Sequence, residues 1–375
     1  MKIGVLKESE GENRVAMMPE TVASLIKLKT DVLIEKGAGA NAFAADSDYQ
    51  GAGAGVASRN EVVEQSDLLL FINPLLAGEV STFEKNKVLI GSMNPFFNRE
   101  LVVTLADSSI TSFSMELVPR ISRAQSMDIL SSMATVAGYK AVIDAAMNLP
   151  KFFPMFMSAS GTIKPAKVLI LGAGVAGLQA IAIGRKLGAV VEVFDVRSAV
   201  KEEVKSLGGK FIEVEGALED AAAGGYAVEQ SIEFKQKQGQ LIHEHALKSD
   251  VVICTAQIPG KTAPLLLKKE TVEKMAPGSV IIDLAASTGG NCELTKNDET
   301  VIHHKVKIIG KSDYPSDIPY DASSMYAKNL LNFLKLIIDE NGALNINFND
   351  EIIKGTCLTH AGKVHHSRVK EVFNL

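Results

Sequence analysis

At 375 residues, with 46% hydrophobic and 22% charged residues, the chain has the length for two domains and an ordinary globular composition. Its net charge of −5 and its scattered lysines and arginines show no basic stripe, so nucleic acid is not expected as a partner. Cys254, Cys292 and Cys357 form no CxxC pair, which argues against a disulfide framework or zinc site and fits a reducing compartment.

The N-terminus, MKIGVLKESEGE, turns charged at once and is not expected to be a signal peptide. Strand-like runs follow at Lys2–Leu6, Asp31–Glu35, Asp67–Ile72, Lys87–Gly91 and Ile110–Ser114, alternating with helix-like segments. Pro19 stands at a first helical position, with Val22, Leu25, Ile26 and Leu28 behind it at helical spacing. Such alternation predicts a mostly parallel sheet covered by helices. A long helix is predicted from Ser126 to about Met147, leading out of the first domain. A second strand series lies at Lys167–Leu171, Val190–Phe194, Lys210–Val214, Val251–Thr255, Val280–Leu284 and Val306–Gly310. Further helices are predicted over Ala227–Leu247 and Ser324–Ile338; the latter carries Tyr326, Leu330, Leu331, Phe333, Leu334 and Ile337 and is expected to return to the first domain. The expected fold is α/β: two Rossmann-like, doubly wound parallel-sheet domains linked by long helices, with a cleft between them. Residues 1–130 with 325–375 form the first domain and 131–324 the second.

Val168–Gly184 is uncharged over 17 residues, short of the roughly 20 that a spanning helix needs. It reads instead as strand, turn and helix, because Gly172, Gly174 and Gly177 interrupt it in Gly-x-Gly-x-x-Gly spacing. Gly172 permits the tight turn, Gly174 lets backbone approach a pyrophosphate, and Gly177 lets the helix pack close to the strand. The helix N-terminus offers amide donors to phosphate. Asp195 ends the next strand, 18 residues beyond Gly177, where a carboxylate can accept ribose hydroxyls and repel a 2′-phosphate. Arg197 is a counter-signal, since an arginine can accept that phosphate. The complete register predicts NAD(H) binding.

The segments PRISRAQSMDILSSMATVAGYKAVIDAA from Pro119, GGYA from Gly224, IPGKTAP from Ile258, GSVIIDLA from Gly278 and GGNCE from Gly289 closely resemble the NAD(H)-binding α subunit of proton-translocating NAD(P) transhydrogenases. KESEGENRVAMMPE, from Lys7, resembles the start shared with alanine dehydrogenases of the same superfamily. The chain reaches Leu375 without membrane helices, and so resembles the split form in which this component is a separate polypeptide. The resemblance implies a dimer, an NADP(H)-binding partner subunit and a membrane-embedded proton-translocating subunit. It also implies a cytoplasmic location, peripheral on the inner membrane through those partners.

The residues permit a test of which chemistry applies. Oxidising an amine or alcohol releases a proton and needs a positioned acid or base. Hydride transfer between two nicotinamides needs mainly orientation. The first histidine is His243, so the first domain contains none. Alanine dehydrogenases use a lysine before a proline and a histidine on the next strand; here the corresponding stretches, Leu70–Pro74 and Gly91–Pro95, contain neither. Arg14 stands at the position resembling the substrate-carboxylate arginine. Transhydrogenase chemistry is therefore preferred over an alanine-dehydrogenase-like enzyme. A non-catalytic NAD-binding regulatory module stays open as a third reading.

By resemblance, Arg120, Gln125 and Asp128 line the nicotinamide pocket as the residues of the reaction centre, with Ile121, Ser122 and Ser131 beside them. A local helix cap is the structural alternative. Gly172, Gly174, Val175, Gly177, Asp195, Val196 and Arg197 make the dinucleotide site; Gly225 and Tyr226 belong to a mobile loop, and Gln238 and Gln257 to further NAD contacts. No metal is expected. His243 and His245 point different ways on a helix, and the pairs His303–His304 and His365–His366 lack an accompanying ligand pattern. Asp283, before the Ser287–Asn291 turn, either borders the cleft or punctuates the fold.

Overall fold

The computed structural model describes residues 1–214, 230–258 and 260–375. The chain divides into two compact units, Met1–Met133 with Pro315–Leu375, and Ala134–Tyr314. The return to the first unit comes at Pro315, ahead of residue 325, where the sequence alone puts it.

In the first unit, β1 (Lys2–Val5), β2 (Asp31–Glu35), β3 (Gly55–Ala57), β4 (Leu68–Leu70), β5 (Val88–Gly91) and β6 (Thr111–Ser114) are parallel. The second unit contains a hairpin of β7 (Phe156–Ser158) and β8 (Gly161–Ile163). Its main sheet is built from β9 (Lys167–Leu171), β10 (Val190–Phe194), β11 (Lys210–Ile212), β12 (Val251–Cys254), β13 (Val280–Asp283), β14 (Glu299–His303) and β15 (Val306–Gly310). The chain then returns to the first sheet as β16 (Cys357–His360) and β17 (Lys363–Val364).

The first sheet runs β3-β2-β1-β4-β5-β6-β16-β17, and the second β11-β10-β9-β12-β13-β15-β14. Both follow the order of a dinucleotide-binding sheet, reversing direction at β1/β4 and at β9/β12. Each closes with antiparallel pairing: β16 on β6 and β17 on β16 in one, β14 on β15 in the other.

Alternation along the strands makes both sheets two-faced. Val168 and Ile170 enter one core with Val251, Ile253, Val280 and Ile282, while Leu169 and Leu171 enter the opposite core with Val252, Cys254 and Ile281. In the first unit, Leu68 and Leu70 face one core and Leu69 the other. Burial on both sides is why these strands read as continuous apolar runs.

Three helix starts differ from the sequence reading. Ser122–Met127 is a 3₁₀ segment, and the long helix spans Ile129–Asn148. It starts after Asp128, whose Oδ1 accepts the Ser131 amide at 2.9 Å and whose Oδ2 accepts the Ser131 hydroxyl at 2.6 Å. That carboxylate satisfies an otherwise orphaned donor and marks the N-terminus. The returning helix spans Pro319–Ile337, starting five residues before Ser324, because Pro319 suits the first turn and Ala322 and Ser323 are already buried. The helix expected over Ala227–Leu247 spans Ile232–Ala246, capped by Ser231 Oγ on the Phe234 amide; residues 227–229 lie outside the described residues.

Candidate functional site

The loop after β9 follows from its glycines. Gly172 has φ +107°, a left-handed conformation that disfavours side chains, and a Cβ there would lie 2.7 Å from Thr255 Oγ1. Gly177 lies in the first turn of the helix Val175–Lys186, where a Cβ would lie 2.0 Å from the Gly172 carbonyl oxygen. At Gly174 the same construction meets nothing within 4 Å. Two glycines are thus required by the fold, whereas the third leaves room above the loop. Gly174 is the N-cap residue and makes no side-chain cap, so the first amides of a 12-residue helix are left for an anion. Val175 at the helix start is exposed.

Asp195 braces the loop. Its Oδ2 accepts the Ala173 amide at 2.7 Å and Arg197 Nη2 at 2.7 Å, and its Oδ1 accepts the Arg197 amide at 2.8 Å and Nε at 2.9 Å. The carboxylate is almost wholly buried and its lone pairs are engaged, so a ribose hydroxyl has to share or displace an Arg197 bond. Val196, beside them, packs on the neighbouring core. These groups, with open space at Gly174 and free helix amides, fit the pyrophosphate and ribose of a dinucleotide.

Sequence reasoning missed several supports. Thr255 Oγ1, just beyond β12, donates to the Gly172 carbonyl at 2.9 Å. Gly138 on the long helix lets Ala176 approach; a Cβ there would lie 2.2 Å from the Ala176 carbonyl. Asn291 bonds the Ala256 amide and carbonyl and the Pro264 carbonyl, holding the segment that contains Gln257. Asp283 is buried and accepts the amides of Ala285, Asn291 and Cys292 and the Thr295 hydroxyl. It therefore anchors the turn that carries Asn291. A polar residue ending each strand beside the glycine loop was the available signal. Gln257 is exposed and donates to Thr288 Oγ1, while Gln238 lies on the buried face of its helix with Phe234 and Ile242. Gly225 and Tyr226 lie outside the described residues. His243 turns to Thr271 and His245 to Glu192, as their spacing requires.

In the first unit, Arg120, Ser122 and Gln125 are exposed, Ile121, Asp128 and Ser131 are half-buried, and the 3₁₀ segment brings them into one short stretch. Arg123 pins that stretch with paired bonds of 2.7 and 2.8 Å to Asp350, and the Ser126 carbonyl accepts Asn329 Nδ2 and Asn332 Nδ2. These partners are some 200 residues away, and no local pattern announces them.

The β1/β4 crossover, where open α/β sheets take ligands, is filled by the chain itself. Glu8 accepts the amides of Ile72 and Asn73 there, and at the ends of the neighbouring β5 and β6 Glu116 accepts those of Met93 and Asn94 with the Ser114 hydroxyl; burial raises both carboxyls above the usual range. Glu12 receives Arg14 Nε at 2.8 Å and Nη2 at 2.6 Å, with Asn73 Nδ2 at 3.0 Å. Although burial pushes the other way, the Arg14 guanidinium and its hydrogen bonds hold Glu12 down at about 2. A depressed carboxylate stabilises the fold above its unfolded pKa, and the contribution disappears as pH falls from 4.5 to about 2. Its size is on the order of 3 kcal/mol. Denaturant unfolding of the first unit across that window should show this loss. Glu12→Gln should flatten the slope and cost about 3 kcal/mol at neutral pH, because Arg14 is left buried without its counter-charge. An unchanged pH profile in the variant would refute this assignment.

Comparison with known proteins shows the family of the chain. Residues 4–137 match the family described as "Alanine dehydrogenase/PNT, N-terminal domain", and residues 141–367 match "Alanine dehydrogenase/PNT, C-terminal domain". The chain is 47% identical over 376 aligned positions to an NAD(P) transhydrogenase alpha-subunit polypeptide from Rhodospirillum rubrum, covering 98% of each chain. A transhydrogenase crystal structure from Sinorhizobium meliloti superposes with a TM-score of 0.89 at 43% identity, over 97% of this chain and 100% of that one. An L-alanine dehydrogenase structure gives 0.84 at 25% identity, over 100% and 99%. Matched by both family models and over 98% of its length to a transhydrogenase alpha-subunit polypeptide, the chain belongs to the alanine dehydrogenase/PNT family, among proteins similar to the transhydrogenase alpha subunits.

Proposed function

We propose that this chain is the NAD(H)-binding component of a proton-translocating transhydrogenase. In this reading it orients NADH for direct hydride transfer to NADP⁺ on a partner subunit, and a membrane-embedded subunit couples the transfer to proton movement. Bound NADH supplies the hydride; the chain supplies position. Gly172, Gly174, Val175, Gly177, Asp195, Val196 and Arg197 hold the pyrophosphate and ribose. Arg120, Ile121, Ser122, Gln125, Asp128 and Ser131 serve the nicotinamide end, with Gly225, Tyr226, Gln238 and Gln257 completing the contacts.

The observation that carries this reading over an amino acid dehydrogenase is the engagement of Arg14 by Glu12. A substrate carboxylate would have to displace a buried internal one. The acids nearby spend their oxygens on backbone amides, and residues 1–242 contain no histidine. Orientation without a proton-transfer group suits hydride exchange between two nicotinamides. Among the described residues no helix is long and apolar enough to cross a membrane. In the proposed assembly the chain is held on the cytoplasmic face of the inner membrane by its partner subunits.

The reading includes a homodimer. Every residue of the β7–β8 hairpin is exposed, Phe156, Met157 and Ile163 among them, and Phe152 and Met155 add apolar surface beside it. Contiguous apolar surface of this kind marks a protein contact.

The test mixes the purified chain with the NADP(H)-binding subunit and follows reduction of an NADP⁺ analogue by NADH, with the chain's mass read by light scattering. Transfer by a dimeric chain is expected. Intact NADH binding with no transfer would reject the catalytic reading, and pyruvate- and ammonia-dependent NADH oxidation by the chain alone would identify the dehydrogenase instead.

A further inference from the structure

At the outer edge of the second sheet, the fold brings Glu273 to a pair of adjacent histidines 30 residues further along the chain. The hairpin β14–β15 pairs His303 with Val306, leaving His304 and Lys305 as a two-residue turn. Both have positive φ, 47° and 62°. Turns of this type favour Asn-Gly, since other side chains crowd the backbone there. Here a histidine and a lysine hold those positions.

The imidazoles of His303 and His304 stack with centroids 4.7 Å apart and planes inclined by 19°. From the helix Lys269–Lys274, Glu273 reaches the same spot: its Oε1 lies 3.1 Å from His303 Nε2. The donor atoms of Glu273, His303 and His304 all lie within 4.8 Å of one another, the one such group among the described residues. Bonds of 2.0–2.1 Å in a tetrahedral site place donors about 3.4 Å apart. The His303–Glu273 pair is already at that spacing. His304 is exposed, so it can close the remaining gap by side-chain rotation. The competing group is Lys269, whose Nζ lies 3.8 Å from Glu273 Oε1, on a flexible, exposed stem.

We propose that Glu273, His303 and His304 form a binding site for a divalent transition-metal ion, clipping the β14–β15 turn to the helix Lys269–Lys274. Two imidazoles and one carboxylate select Zn²⁺, Ni²⁺ or Cu²⁺ and disfavour Mg²⁺ and Ca²⁺, which require more oxygen ligands. Solvent completes the coordination.

The probe is ZnCl₂ titrated calorimetrically into the chelator-treated full chain, with MgCl₂ in parallel. His304→Asn is the sharpest variant, because asparagine accepts the positive φ and removes the imidazole. Glu273→Gln removes the carboxylate while keeping the side chain's shape. The expected result is one Zn²⁺ per chain, weakened by about tenfold or more in each variant, with no comparable Mg²⁺ binding. At the same Zn²⁺ concentration the unfolding midpoint should rise more in the wild type than in His304→Asn. Equal Zn²⁺ affinity in wild type and variants would place the ion on another histidine and overturn the proposal. Failure of the wild type to bind Zn²⁺ at millimolar concentration would overturn it as well.

Discussion

Gly177→Ala is expected to lose about 3 kcal/mol or more of stability and to weaken NADH binding about a hundredfold. The added Cβ would sit 2.0 Å from the Gly172 carbonyl oxygen. That obstacle is backbone, so no rotamer change relieves it; the helix Val175–Lys186 has to move off the strand. Gly174→Ala separates the two effects. Nothing lies within 4 Å of a Cβ there, and φ of −76° suits alanine. Its stability should stay within about 0.5 kcal/mol of wild type, while NADH affinity falls about a hundredfold because the methyl occupies the pyrophosphate's approach. Urea unfolding and NADH fluorescence titration read the two quantities. Wild-type affinity in Gly174→Ala would mean that the phosphates do not pass over this residue.

Asp195→Asn should shift preference from NADH toward NADPH by about a hundredfold. Four donors converge on that carboxylate, three of them from Arg197. Neutralising it removes both an acceptor for the ribose and the negative charge facing a 2′-phosphate, and it releases a guanidinium able to bind that phosphate. The double variant with Arg197→Ala should lose the gain in NADPH affinity but not regain NADH affinity. Dissociation constants for both nucleotides in the three proteins decide the matter; unchanged discrimination in Asp195→Asn would remove Asp195 from the specificity role.

The same contacts explain an ambiguity that the sequence leaves standing. Asp195 argues for NAD and Arg197 against it when they are read as separate letters. Folded, the two are one unit, because the arginine is spent on the aspartate. Arg14 is similar. It reads as a free cation awaiting a carboxylate, and only its bonds to Glu12 show that the carboxylate is internal.

Sequence alone determined the α/β class, the strands of both parallel sheets except the short β3, and the glycine loop, since each rests on local physics: two-sided burial writes continuous apolar runs, and a left-handed turn demands glycine. It also placed the long helices, missing their starts by up to five residues. Tertiary structure alone decided the antiparallel edges: β14 is largely exposed and so shows no continuous apolar run, and β16 completes a sheet begun more than 200 residues earlier. Only the fold could set Arg123 on Asp350, Thr255 on Gly172 and Glu273 on His303. Such pairs depend on chain closure over long separations, and a single hydrogen bond leaves no periodicity for a sequence to display.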